Sequence, residues 1–288
     1  PGGAREKERS LPMGIRLGLC QMRVTPDKQE NLRRAESCLR QAAAQGANLA
    51  LLPEMFNCPY ETRNFPIYAE ADGGPVYQAL SQIARENHLY LIAGSVPEQD
   101  GGQIYNTCYI FDRQGELLGK HRKMHLFNIS VHRGQRFQES ETLTAGNAIT
   151  VLDTEFGKIG VAICFDIRFP ELYRLMALQG AQMIFTPAAF SMTTGRPHWE
   201  LAFRSRALDN QVFTIGAAPA RVRNGNYVPY SHSIIVDPWG DIVAQLGEVP
   251  AVSVTEIDLD QVQNIRSQMP LLAQMRTDLY EVIQKPIE

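Results

Sequence analysis

The chain has 288 residues, 44% of them hydrophobic and 20% charged, an ordinary globular composition that excludes collagen-like and disordered classes. Lysine and arginine number 28 against 31 aspartates and glutamates, so the net charge is −3 and no basic field exists to hold nucleic acid or an anionic membrane. The longest apolar runs, such as 159–165, fall far short of the ~20 residues a membrane helix needs.

Residues 1–12 are charged and glycine-containing with no apolar stretch. They read as a disordered leader or an expression remnant, with Met13 as a natural start and 13–288 as a single domain. Residues 15–21 predict a first strand. Residues 31–45 place Leu32, Ala35, Leu39 and Ala42 on one helical stripe, and Gly46 ends that helix. The apolar run at 48–52 predicts a strand buried on both faces. A helix over 76–86 leads to a strand over 89–94. A hairpin follows, with strands at 105–111 and 116–120 around the turn Asp112-Arg-Gln-Gly115. Strands alternating with helices indicate an α/β fold.

The chain then repeats itself. Gln45-Gly-Ala-Asn-Leu-Ala-Leu-Leu-Pro-Glu-Met-Phe56 is similar to Gln179-Gly-Ala-Gln-Met-Ile-Phe-Thr-Pro-Ala-Ala-Phe190, Arg16-Leu-Gly-Leu to Lys158-Ile-Gly-Val, and Ile110-Phe-Asp-Arg-Gln-Gly-Glu to Ile235-Val-Asp-Pro-Trp-Gly-Asp. Glycine and proline punctuate any α/β chain, so single matches arise by chance. Three matches in the same order favour an internal duplication. Two such halves burying their sheets against each other predict a four-layer α-β-β-α sandwich. Pro53-Glu54 becomes Pro187-Ala188 in the second copy. A carboxylate after a buried strand is costly to desolvate without a partner or a task, so Glu54 is the first candidate for chemistry.

Cys164 ends the apolar run 159–163, and Phe169-Pro-Glu-Leu-Tyr173 then begins a helix with proline near its first turn. A thiol there stands at a sheet edge near a helix N-terminus, which favours ligands and lowers a thiol pKa. A small buried hydrophobe fits the same position equally well. Cys20, Cys38, Cys58 and Cys108 lack this context and read as core. The odd number of cysteines, with no C-x-x-C, excludes a disulfide scaffold and points to the cytoplasm. Lys123 lies in Gly119-Lys-His-Arg-Lys-Met-His-Leu-Phe127, which is either a solvated basic loop or one lysine turned inward. His121 and His125 are four apart but lack the H-E-x-x-H pattern of a zinc site, and there is no G-x-S-x-G, P-loop or G-x-G-x-x-G.

Together, Leu51-Leu-Pro-Glu-Met-Phe56, His121-Arg-Lys-Met-His-Leu-Phe127 and Gly160-Val-Ala-Ile-Cys-Phe-Asp-Ile-Arg-Phe-Pro-Glu171 resemble the Glu-Lys-Cys motifs of the nitrilase superfamily of carbon–nitrogen hydrolases. The resemblance runs from Ile15 to the C-terminus, and that family's duplicated α-β-β-α sandwich agrees with the repeat. Phe56-Asn-Cys-Pro-Tyr60, Asn64-Phe-Pro-Ile-Tyr-Ala-Glu70, Phe190-Ser-Met-Thr-Thr-Gly195, His198-Trp-Glu200 and Arg204-Ser-Arg-Ala-Leu-Asp-Asn-Gln211 resemble the omega-amidase branch, which acts on 2-oxoglutaramate and 2-oxosuccinamate. The same motifs leave open a deaminated-glutathione amidase, a nitrilase, an N-carbamoyl amide hydrolase, or a catalytically silent binding protein. Arg196 and the loop 128–136 depart from the branch pattern.

The resemblance implies a cysteine-dependent amidase that needs no metal or organic cofactor. Cys164 is the implied nucleophile and Glu54 the proton carrier. Lys123 and the backbone N–H of Phe165 are the implied oxyanion donors, and Glu139 the glutamate that positions Lys123. Arg168, four residues after Cys164, is suited to a substrate carboxylate, with Tyr60 donating to the same group. Phe190 and Thr194 are the implied pocket wall. The partner is a small-molecule amide, with neither nucleic acid nor membrane involved. A homodimer is expected, with the apolar C-terminal stretch 261–288 crossing to the second copy.

Overall fold

The computed structural model describes residues 14–131, 136–223 and 225–286. The leader expected at 1–12 and positions 132–135 of the 128–136 loop lie outside the described residues.

The first sheet centres on Ile15–Gln21, Leu49–Leu51 and Tyr90–Ile92, paired in parallel. Ala251–Ile257 pairs antiparallel on one side, and on the other Gln103–Phe111 pairs antiparallel with Val96–Asp100 and Leu117–Arg122. The second sheet repeats the plan. Gly157–Val161, Met183–Pro187 and Phe213–Ala217 run in parallel, with Thr150–Thr154 on one side and Ile234–Val236 and Ile242–Gln245 on the other.

All three repeat matches fall on equivalent places. Gly18 pairs with Ala50 in one sheet as Gly160 pairs with Ile184 in the other. The two hairpin turns close alike, Asp112 N–H on Glu116 O and Asp237 N–H on Asp241 O, both at 2.9 Å. Alternation along the strands sends Leu17, Leu19, Leu49, Leu51 and Ile92 inward against Ile159, Val161, Met183, Phe185 and Ile215 of the second sheet. The opposite face of the first sheet, with Cys20, Ala50 and Leu91, packs on Ala35, Leu39 and Ala42 of helix Lys28–Ala44 and on Val76 and Leu80 of helix Pro75–Asn87. Helices Pro170–Leu178 and Met192–Asn210 contribute Leu172, Tyr173, Met176, Trp199 and Phe203 to the core of the second half. The order of layers is α-β-β-α, as the duplication predicts.

The first helix begins at Lys28, three residues before the expected start at 31, because the Asp27 side chain accepts from the Glu30 N–H at 3.0 Å and caps it. Gly94, at φ +60°, lies against the backbone of Leu52 and Pro53 so closely that a Cβ would strike the Pro53 carbonyl. That contact fixes the strand end from which Glu54 projects.

Candidate active site

Glu54 follows the strand Leu49–Leu51, Lys123 follows Leu117–Arg122 and Cys164 follows Gly157–Val161. Each leaves the carboxyl end of a strand, and packing of the two sheets brings the three ends together. The repeat-related loops touch here as well: Ala189, just past Pro187, donates its N–H to Glu54 Oε2 at 2.8 Å.

Lys123 is turned inward and fully buried. Its Nζ donates to Glu54 Oε1 at 2.9 Å and to Glu139 Oε1 at 3.0 Å. Burial alone would strip its charge, but Glu139 and Glu54 hold its pKa well above the ordinary lysine value, so it is an ammonium at neutral pH. Glu54 Oε1 also accepts from Asn106 Nδ2 at 2.9 Å, and Glu139 Oε2 from the Phe127 N–H at 2.7 Å. Burial pushes the Glu54 carboxyl up, Lys123 pulls it down, and the neighbouring Glu139 pushes it up again. A carboxylate raised in this way is a better proton acceptor than a free one.

Cys164 opens the 3-10 turn Cys164–Arg168 in the left-handed region at φ +47°, and Met55, directly after Glu54, has φ +48°. Neither residue type favours that conformation, so the surrounding contacts must impose it. The Cys164 side chain is buried, only 4% of the residue being exposed, with Glu54 and Lys123 as its charged neighbours. Its pKa is raised well above that of a free thiol by burial and by the Glu54 charge, with Lys123 opposing. The lowering expected from a helix N-terminus is therefore reversed: desolvation of a buried sulfur outweighs a partial dipole charge. Burial therefore favours the neutral thiol over the thiolate in the free site.

The Phe165 N–H lies in the first turn of the same short helix and has no acceptor among the described residues. Arg168 is half-buried, its guanidinium 4.9 Å from the Phe190 ring and 5.6 Å from the Phe165 ring, with His198 Nδ1 at 3.3 Å. No carboxylate pairs with it among the described residues. Phe190 is buried against Trp199, and Thr194 stands in the first turn of helix Met192–Asn210 beside Ser191. Tyr60, expected to donate to a substrate carboxylate, turns its hydroxyl to the two glutamates. Its hydroxyl donates to Glu139 Oε1 at 2.6 Å and lies 3.2 Å from Glu54 Oε1, so its one proton is engaged within the glutamate cluster.

A cavity of about 450 Å³ opens onto Glu54. Its lining includes Tyr60, Arg63, Asn64, Ala189 and Tyr227, but not Arg168, Phe190 or Thr194. Tyr227 was not legible in the sequence. Its ring packs 4.8 Å from that of Tyr60, and its hydroxyl donates to the Ala189 carbonyl. Asn106 also escaped notice, since nothing local marks one polar residue within a strand. Asp166, His121 and His125 were visible as residues, but the histidines' four-residue spacing raised only the question of zinc.

Fold, repeat and site together define a hydrolase of the carbon–nitrogen class. The chain belongs to the carbon-nitrogen hydrolase family, whose sequence model matches residues 16–267. Among individual relatives, it is 50% identical over 271 residues to omega-amidase NIT2 of Xenopus tropicalis, covering 94% of this chain and 98% of that one. It is 46% identical to omega-amidase NIT2 of Homo sapiens, with the same coverage. The crystal structure of Saccharomyces cerevisiae Nit3, a member of branch 10 of the nitrilase superfamily, superposes with a TM-score of 0.84 at 41% identity, covering 91% of this chain and 96% of that one. An amidase from Nesterenkonia sp. AN1, as an E41Q mutant, carries the acetamide moiety of fluoroacetamide covalently at its active-site cysteine. It superposes with a TM-score of 0.79 at 26% identity, covering 92% of this chain and 95% of that one.

Proposed function

We propose that this chain is an omega-amidase, hydrolysing short amides of dicarboxylates such as 2-oxoglutaramate and 2-oxosuccinamate to the acid and ammonia. The observation that carries the chemistry is the buried Lys123 ammonium bridging Glu54 and Glu139, with the Cys164 thiol as a neighbour of the same Glu54. The likeness to omega-amidases over nearly the whole chain supports the choice of substrate.

In this reading Glu54 takes the thiol proton as Cys164 sulfur attacks the amide carbon. Because burial favours the neutral thiol, proton transfer and attack go together once substrate is bound. Lys123 Nζ and the Phe165 N–H stabilise the tetrahedral oxyanion. The C–N bond breaks, Glu54 returns its proton to the departing ammonia, and a thioester remains on Cys164. Glu54 then draws a proton from water, which attacks the thioester; the C–S bond breaks, the acid leaves, and Glu54 returns the proton to the Cys164 sulfur. Glu139 and Tyr60 hold Lys123 in place throughout. Arg168, seated on Phe190 with no carboxylate partner among the described residues, reads the far carboxylate, with Phe190 and Thr194 as the wall beside it.

The test is ammonia release from a panel of amides. Release from 2-oxoglutaramate is expected. Release solely from a nitrile or a carbamoyl compound would move the chain to another branch, and no turnover at all would leave a binding protein. Arg168→Lys should lose about 2 to 4 kcal/mol of transition-state stabilisation for the charged substrate, since lysine lacks the planar fork that pairs with a carboxylate. Its kcat/KM for a neutral amide such as propionamide should change far less. Equal losses for both substrates would show that Arg168 supports the turn and does not read the carboxylate.

A homodimer is part of the same reading. Leu201 is 65% exposed, Leu208 is exposed one heptad along the same helix, and the turn carrying exposed Trp239 adjoins it, Gly240 lying beside Leu208. Leu279, Tyr280 and Ile283 of the C-terminal stretch are exposed as well. Apolar surface of this extent is typical of an interface. Light scattering at micromolar concentration should give twice the chain mass, and Leu201→Glu with Leu208→Glu should halve it. A wild-type monomer would refute the dimer. A cytoplasmic location is supported by the five cysteines, all of them free thiols.

A further inference from the structure

Asp166 is fully buried two residues after Cys164, and the steps above give it no task. Its two oxygens take four donors. Oδ2 accepts from the Ile163 N–H at 2.9 Å and faces His121 Nε2 at 3.1 Å. Oδ1 accepts from the His125 N–H at 2.9 Å and faces His125 Nδ1 at 2.7 Å. An ionised carboxylate only accepts, so both ring nitrogens carry their hydrogens toward it. These bonds satisfy all four lone-pair positions, and despite burial they hold the Asp166 carboxyl well below the usual carboxylate range.

The origin of the four donors matters more than their number. Ile163 immediately precedes Cys164. His121 and His125 lie two residues before and two residues after Lys123, in the segment leaving the first sheet. His121 is itself fixed, with Thr150 Oγ1 at 3.0 Å from Nδ1, and His125 stacks on Phe169 at 3.6 Å. One carboxylate thus ties both flanks of the lysine to the turn that carries the thiol, across the join between two sheets. No backbone ladder spans that join, since Leu117–Arg122 and Gly157–Val161 belong to different sheets.

We propose that Asp166 is a positioning residue that sets the separation of the Lys123 ammonium from the Cys164 sulfur and the Phe165 N–H. The proposal rests on the roles given above to Cys164 and Lys123. Asp166→Asn keeps the shape but turns an NH2 group toward two donors, so the join must open. A looser oxyanion site loses transition-state stabilisation while ground-state binding persists.

The measurements are steady-state kinetics, thermal unfolding, and the rate of iodoacetamide addition to Cys164, located by peptide mass spectrometry. In Asp166→Asn, kcat should fall roughly 10- to 100-fold, as for other partners that orient a reacting group, with KM within about twofold of wild type. Alkylation of Cys164 should slow as the lysine moves away. His125→Ala provides a second arm should Asp166→Asn fail to fold: it removes one ring bond at a half-buried position but keeps the backbone N–H. It should show the same pattern, several-fold weaker. Wild-type alkylation in a folded variant, or a raised KM with kcat unchanged, would overturn the proposal. The alkylation readout needs no substrate, so a failed omega-amidase assignment and a failed Asp166 assignment give different results.

Discussion

Cys164→Ala should leave a folded protein that melts close to wild type and has no measurable amidase activity. The side chain is small and buried, and removing its sulfur leaves a cavity of about one atom, a modest cost to the core. Loss of a nucleophile that acts within a unit typically lowers kcat by on the order of 10⁴ to 10⁶. Acid-quenched wild type incubated with substrate should carry an acyl adduct at Cys164 by mass spectrometry. Cys58 offers a sharp control, because it lines the cavity that opens onto Glu54. Burial raises its thiol pKa far above the usual cysteine range, with the Lys28 charge opposing. An adduct on Cys58, or full activity in Cys164→Ala, would remove Cys164 from the mechanism.

Lys123→Met and Glu54→Gln should each abolish turnover by different routes. Glutamine keeps the shape of Glu54 but cannot take the thiol proton, so acylation itself should fail. Loss of the lysine removes an oxyanion donor, typically worth about 10² to 10³ in kcat. It also leaves Glu54 and Glu139 buried around Tyr60 with no cation between them, a defect that usually costs about 3 to 5 kcal/mol of stability. Lys123→Met should therefore melt well below wild type. The double variant Lys123→Met with Glu54→Gln should recover much of that stability, since one of the stranded charges is gone, yet remain inactive. Iodoacetamide should also modify Cys164 more slowly in Lys123→Met, because the ammonium is the group that favours the thiolate. An unchanged alkylation rate would show that Lys123 does not act on the thiol.

The architecture is legible in the amino-acid sequence alone. Its evidence was periodic and local: apolar alternation, a helical stripe, glycine and proline punctuation, and the same strand–turn patterns recurring in order. Even the contrast of Glu54 with Ala188 needed nothing more than the repeat, and Cys164 and Lys123 needed their motifs. What the tertiary structure decided are the relations among those residues. Tyr60 bonds Glu139 across 79 residues, Ala189 bonds Glu54 across 135, and Asp166 gathers His121 across 45. Spacing along the chain reports neighbours on one helix face or one strand. It says nothing about which loop ends face each other when two sheets close. The thiol illustrates the consequence: its place at a helix start argued for a lowered pKa, while its burial between the halves raises it. A dipole can be read from the order of residues, whereas desolvation depends on everything that packs around the sulfur, and here it is the larger effect.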